Sequence, residues 1–462
     1  MSQLIMVSNR VGRADQPQAG GLAIALRDAL KVQGGIWMGW NGEITAPIDA
    51  QFKLQAHENV RYVTTSFTQH EFNAYYSGFA NNTLWPMLHS RADLIQEDAS
   101  QYQCYQQVNR RFAEQIARVA QPEDLIWIHD YHFFSVAKYC RELGLNNRIG
   151  FFLHIPFADL EHWQQLGVAK PLLQDLLAYD VIGLQTQADQ RACQAVYQAM
   201  CHIEIQLNSV QVGQRRVRIA HYPIGVDPDS IQQLAMQEDI NIEHYFQPAP
   251  SRDLPWLISA ERVDYSKGIR ERLNAIRGAL QDTPLQGCFA ALQVACPCRM
   301  EVPIYQQLYT EVKQNIAQLN QDFKTQAWQP IYLTHQTLPH HELMQLYRQS
   351  QICWVDSLRD GMNLVAKEYI AAQNPEQPGV LILSQYAGAA EQMPEAIIVN
   401  PLDHDSLKQA LHQALHMPLG ERLWRYQALI QGIRQQDIQH WRSAFLADLA
   451  AEAQPMLNVH GA

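Results

Sequence analysis

Short, almost wholly apolar runs recur along this chain, separated by longer amphipathic stretches. The runs cover residues 4–8, 125–129, 149–154, 181–185, 256–259, 293–296, 352–355 and 380–384. Apolarity without alternation marks strands buried on both faces, as parallel strands are when helices cover them. The intervening stretches 22–32, 102–120, 270–280, 305–319 and 341–348 carry helical spacing. This alternation predicts an α/β protein built from doubly wound parallel sheets. At 462 residues the chain has room for two such domains.

Composition limits what these domains do. The net charge is −11, which argues against general binding of nucleic acid or anionic membranes, so any phosphate site must be a local cluster of Arg and Lys. No apolar run is long enough to span a bilayer, and the N-terminal run is too short for a signal peptide. Eight scattered cysteines in a chain of this size read as reduced thiols in a cytoplasmic protein. Cys288, Cys296 and Cys298 lack a fourth ligand at standard zinc spacing and read as packing residues. A Pro-rich shift across residues 223–255 marks the expected linker. The expected domains are 1–235 and 236–436, with a Trp-bearing helix within 437–462 returning to the first.

The most informative segment follows the run at 352–355. Arg359-Asp360-Gly361-Met362-Asn363-Leu364 leads through a tight turn into a helix carrying Glu368. The first N–H groups of a helix have no intrahelical partner and bear the positive end of its dipole, so they suit an anion. Asp360 and Glu368 add carboxylates beside that anion site, which suggests a ligand with phosphates and hydroxyls, a sugar nucleotide. Arg262 and Lys267, after the run at 256–259, can neutralise charge on a departing diphosphate. Arg270 and Arg272 read as surface charges, and Arg299 is a further cation after a strand. His340-His341 reads as loop before a helix.

The other candidates also follow apolar runs. Arg10 ends Val7-Ser8-Asn9-Arg10, and Gly20-Gly21 would let backbone amides approach a phosphate, or would only loosen a helix entry. Asp130 suits a sugar hydroxyl or a helix cap equally. Pro156 fixes the exit from its strand and would aim His154 into a cleft as a donor to a sugar hydroxyl, or His154 is structural. The D-x-D pairs Asp227/Asp229 and Asp403/Asp405 are common turn patterns, so no metal is expected.

Together these motifs resemble the retaining glycosyltransferases that make trehalose 6-phosphate from a nucleotide-activated glucose and glucose 6-phosphate. The matching segments are V-S-N-R at 7–10, G-G-L at 20–22, W-M-G-W-N-G at 37–42 and Tyr76 to L-W-P at 84–86. They continue with W-I-H-D-Y-H at 127–132, R-I-G-F-F-L-H-I-P-F at 148–157 and E-R-V-D-Y-S-K-G at 261–268. The last are L-R-D-G-M-N-L-V-A-K-E-Y at 358–369 and L-S-Q-Y-A-G-A-A at 383–390. They run in family order across nearly the whole chain. Ala158-Asp159, Leu184 and Ala295-Cys296-Pro297-Cys298 depart from the family pattern.

The resemblance implies a GT-B type fold, two Rossmann-like domains facing a central cleft. It implies that Arg262 and Lys267 hold the donor diphosphate with amides at Gly20, Gly21 and Leu364, Val365, Ala366 and Lys367. Glu368 would hold the ribose, backbone near Leu338 the base, and Asp360 and His154 the transferred glucose. Arg262, Lys267, His154 and Asp360 are thus the expected catalytic set. Arg10, Tyr76, Trp85, Asp130 and Arg299 would form the acceptor pocket, the two arginines on the phosphate. The implied partners are UDP-glucose, or another nucleotide-glucose, and glucose 6-phosphate; no cofactor is expected, and a homo-oligomer is. Two alternatives remain: a relative with another phosphorylated acceptor, prompted by the altered segment before Arg299, and a non-catalytic metabolite-binding subunit.

Overall fold

The computed structural model describes residues 3–11, 30, 34–237, 240–251, 253–282 and 285–451. Their contacts divide the chain into two units. One holds the described residues up to Pro223 and those from Trp441 onward; the other is Ile224–His440.

The first unit is built on a nine-stranded sheet in the order β3-β4-β2-β1-β5-β6-β7-β9-β8. Its strands are β1 Leu4–Arg10, β2 Gly35–Ile44, β3 Lys53–His57, β4 Val60–Phe67, β5 Leu125–His129, β6 Ile149–Phe152, β7 Val181–Leu184, β8 Ser209–Val212 and β9 Arg215–His221. All neighbours pair in parallel except β3 with β4 and β8 with β9. β1 and β5 to β7 are buried along almost their whole length, which explains their unbroken apolarity.

The second unit has a six-stranded parallel sheet in the order β12-β11-β10-β13-β14-β15. Its strands are β10 Trp256–Arg262, β11 Ala290–Cys296, β12 Ile331–Thr334, β13 Ile352–Val355, β14 Val380–Ser384 and β15 Ile397–Val399. Each sheet reverses its winding once. The first runs outward from β1 through β2, then restarts at β5 on β1's other side; the second does the same from β10 to β13. In open α/β sheets ligands bind at the carboxyl ends of the two strands flanking such a reversal. Residues after β1 and β5, and after β10 and β13, therefore have the strongest topological claim to a site.

Several expectations are altered. The segment 223–255 is not a bare tether: it holds the helix Pro228–Ala235, packed within the second unit, and the chain passes between units at Pro223 rather than at 235. The prolines and Gly225 mark that passage, and Pro228 sits at the helix start, where a missing N–H costs nothing. Asp227 and Asp403, the first members of the D-x-D pairs, cap helices: Asp227 accepts from the N–H of Ser230, and Asp403 from those of Asp405 and Ser406. His340 and His341 open the helix His340–Gln349 rather than precede it. The helix Ile438–Ala450 lays Trp441, Phe445 and Leu449 against the first unit, with Phe445 stacked on Trp127 at 4.6 Å. A β-carbon at Gly150 or Gly183 would lie 2.8 or 2.7 Å from the Phe445 ring, so these strands need glycine there. Among the described residues no helix is long and apolar enough to cross a membrane.

Candidate active site

In the second unit, polar groups gather where β10 and β13 end side by side. Arg262 is the last residue of β10, opposite Cys296 of β11, and is exposed. After it, Asp264 caps a short 3-10 turn, Tyr265–Lys267, which closes at Gly268 with φ +69°. A β-carbon at Gly268 would lie 2.0 Å from the Asp356 carbonyl oxygen, so both the backbone twist and the close approach demand glycine. That approach docks the turn on the loop after β13: the Ser266 carbonyl accepts from the N–H of Leu358 at 2.7 Å. Lys267 Nζ then meets Asp360 Oδ2 at 2.5 Å. The same oxygen accepts from Asn363 Nδ2 at 3.0 Å and Ser357 Oγ at 3.2 Å.

Asn363, with φ +73°, turns the chain into the helix Leu364–Ala372. Asn tolerates this left-handed conformation better than most residues. The turn puts Leu364 and Val365 at the helix start, both half-buried, and Glu368 one turn on with its carboxylate 3.6 Å from His340 Nε2. The side chains of Ala366 and Lys367 point inward. Lys367 Nζ donates to the Ile224 carbonyl and to Gln392 Oε1, both at 2.6 Å, and burial brings its pKa down to about 7. If Ala366 or Lys367 contacts a ligand, it is through the backbone. Leu338 lies half-buried in the loop between β12 and the His340–Gln349 helix.

Arg272 departs from its reading as a surface charge. It is 1% exposed and pairs with Asp356 and Glu261 while donating to Gln293 at 2.9 Å. Its partners lie on β10 and just beyond β13, so it clamps the bases of the two loops. Arg270 is half-buried and pairs with Glu311.

In the first unit, a chain of contacts joins residues after β1, β4 and β5. The Arg10 guanidinium lies 4.9 Å from the Trp40 ring and against Gly42, where a β-carbon would fall 1.6 Å from Nη1. Trp40 meets Tyr76 at 5.3 Å, Tyr76 stacks on His132 at 6.0 Å, and Tyr131 meets Trp85 at 5.6 Å. Tyr76 belongs to a stretch wound as π-helix, Phe72–Leu84, a geometry concentrated at functional sites. Asp130 has φ +77°, a strained conformation for a residue with a side chain, and its carboxylate accepts from the His154 N–H at 3.3 Å instead of capping the turn it opens.

His154 Nε2 is 3.0 Å from Nδ1 of His129. Burial pushes the His154 pKa down to about 3, and pushes the more deeply buried His129 well below its ordinary value. Both are neutral in the fold, whereas unfolded histidine titrates near pH 6.5. Stability is therefore complete above about pH 6.5 and falls as acid protonates the unfolded chain first, by up to ~1.4 kcal/mol per pH unit for each histidine. Melting temperatures should hold from pH 7.5 to about 6.5 and then fall toward pH 5, and His129→Asn should flatten the fall. Equal slopes in the two proteins would show that this pair does not titrate on unfolding.

The structure thus gathers Arg262, Lys267, Asp360, Leu364, Val365 and Glu368 at one sheet reversal, and Arg10, Tyr76, Trp85, Asp130 and His154 around the other. It does not put Arg299 in the same unit as Arg10. Arg299 belongs to the second unit, with φ +47° and Nη1 donating to Tyr305 at 2.7 Å and to buried Asp264 at 3.1 Å. The altered Cys296 and Cys298 contact the carbonyls of Gln336 and Val263. Gly20 and Gly21 lie outside the described residues. Among the described residues no three or more His, Cys, Asp or Glu gather as a metal site.

Two sheet reversals bearing cations, carboxylates and aromatic rings define an α/β protein with polar sites at its strand ends, and the family follows from comparison. The chain belongs to glycosyltransferase family 20, which it matches over residues 8–451. The trehalose-6-phosphate synthase of Sodalis glossinidius is 40% identical over 453 residues, 97% of this chain and 96% of that one. An α,α-trehalose-phosphate synthase (UDP-forming) from Burkholderia xenovorans, solved with glucose-6-phosphate, superposes with a TM-score of 0.93 at 37% identity, over 97% of this chain and all of that one. An E. coli chain bound with UDP-2-fluoro glucose gives 0.92 at 37%, over 98% of this chain and all of that one.

Proposed function

We propose that this chain transfers glucose from UDP-glucose to glucose 6-phosphate with retention at the anomeric carbon, giving trehalose 6-phosphate and UDP. The observation that carries the reading is the convergence of Arg262 at the end of β10, Lys267 bonded to Asp360, and the Leu364–Ala372 helix start after the neighbouring β13. That grouping suits a diphosphate flanked by sugars. Ligand-bound relatives, one with a UDP-sugar analogue and one with glucose-6-phosphate, support the two substrates.

Arg262, Lys267 and the amides of Gly20, Gly21 and Leu364 to Lys367 hold the diphosphate. Glu368 takes the ribose hydroxyls, backbone at Leu338 meets the base, and Asp360 and His154 orient the glucose. Arg10, Tyr76, Trp85, Asp130 and Arg299 take the acceptor, with the arginines on its phosphate. The acceptor hydroxyl attacks the anomeric carbon on the face the diphosphate leaves. The bond to the leaving phosphate oxygen breaks, and that oxygen takes the hydroxyl proton. The protein supplies alignment and fixed positive charge, terms that can account for most of a rate enhancement without a covalent intermediate. The eight cysteines, none in a disulfide among the described residues, fit the reducing, cytoplasmic setting of this reading.

Purified protein given UDP-glucose and glucose 6-phosphate should release UDP and form a disaccharide phosphate in equal amounts. Failure with every nucleotide-glucose donor would end this reading. A preference for another phosphorylated acceptor would move it to a sister reaction.

A further inference from the structure

His154 is held from three sides. Its N–H donates to the Asp130 carboxylate, its carbonyl accepts from Gln185 Nε2 at 3.4 Å, and its ring meets His129. The first and third of these come from the end of β5, and Gln185 follows β7; β6 lies between those strands. Three tethers on one residue exceed what packing needs. The contact between the rings also fixes chemistry, because a neutral imidazole has one donor nitrogen and one acceptor nitrogen.

The bond can run in either direction. If His154 Nε2–H donates, His129 must carry its own proton on Nε2. That atom is buried and has no partner among the described residues. An orphaned buried N–H is among the rarest defects in folded proteins, and an under-used acceptor is better tolerated. The opposite direction leaves His129 Nε2 as a bare acceptor near the Trp127 ring, whose centroid is 4.7 Å from its own.

We infer that His129 is a positioning residue: its Nδ1–H donates to His154 Nε2, which holds His154 in the tautomer protonated on Nδ1 and makes that N–H the one offered to the transferred glucose. The inference rests on the glucose-facing role proposed above for His154. Neutrality of both rings fits it, since an imidazolium would donate from both nitrogens and select no tautomer.

The full-length protein, labelled with ¹⁵N in its histidine rings, provides the test. His154→Gln assigns the His154 signals. We expect a protonated Nδ1 and a bare Nε2 at neutral pH, and a shift toward protonated Nε2 in His129→Phe. His129→Phe should lower kcat about tenfold, the scale of lost outer-shell support, with little change in KM for glucose 6-phosphate. His129→Asn places an amide N–H where Nδ1–H was and should restore most of the rate; His129→Gln places it at the other ring position and should not. A protonated Nε2 on His154 in the unaltered protein, or equal rates for the Asn and Gln variants, overturns the inference. A native rate for His154→Ala overturns instead the role on which it rests, whatever the tautomer.

Discussion

Arg262→Ala lowers kcat for glucose transfer by about 10²–10³-fold while leaving the fold intact. The expectation follows from where the charge sits. Arg262 ends β10 beside the sheet reversal, and its side chain is exposed. As the bond to the diphosphate lengthens, negative charge grows on the leaving oxygens, and a fixed guanidinium stabilises that state more than the bound donor. A thousandfold loss corresponds to ~4 kcal/mol of barrier. Arg262→Lys should recover only part of the rate, because an ammonium cannot meet two phosphate oxygens in the plane of a fork.

Lys267→Ala is expected to behave differently. Lys267 is already paired with Asp360, so its loss also unbalances the carboxylate assigned to the glucose. Donor KM should rise along with the fall in kcat. Steady-state kinetics with UDP-glucose, alongside melting curves, separate the two cases. An Arg262→Ala rate within tenfold of native, with unchanged melting, would remove Arg262 from the transition state.

The difference between Arg262 and Arg272 indicates what the sequence could convey. Every apolar run read as a strand is one, because strands buried on both faces cannot hide their composition. β3 and β8 escaped because each is a polar strand at a sheet edge, where a missing neighbour allows polar residues. β12 and β15, apolar edge strands of four and three residues, escaped as well, as did interior β2 and β4, whose Gly, Asn, Glu, Arg and Thr residues interrupt the apolar run. β9 escaped because its arginines, such as Arg215, are satisfied by carbonyls distant in sequence. Arg262, Lys267, Asp360 and Glu368 were legible because each ends or closely follows a legible strand. The structure brings Lys267 and Asp360 together through a contact across 93 residues, and local spacing carries no trace of it. His129 passed as one letter of a motif, since its significance lies in a ring 25 residues away. Arg299 is similar: its contacts with Asp264 and Tyr305 left no trace in local spacing, and its proposed role came from resemblance.

Arg272→Met is expected to destabilise the second unit by about 3–5 kcal/mol, the cost of breaking a buried ion pair from one side. For a unit of this size that lowers its melting temperature by on the order of 10 °C. Methionine fills most of the volume, so the loss is electrostatic: Asp356 and Glu261 remain buried without their cation. Burial already pushes both carboxyls upward, and Arg272 is what pulls them back. In the variant they bind protons more tightly folded than unfolded, so this contribution is favourable at low pH and lost as pH rises. The melting deficit should therefore be larger at pH 8 than at pH 5.5. A deficit independent of pH would mean lost packing instead. Adding Asp356→Asn and Glu261→Gln should recover stability at pH 8 without restoring the rate, because the clamp beneath the Lys267 turn and the Asp360 loop would still be missing.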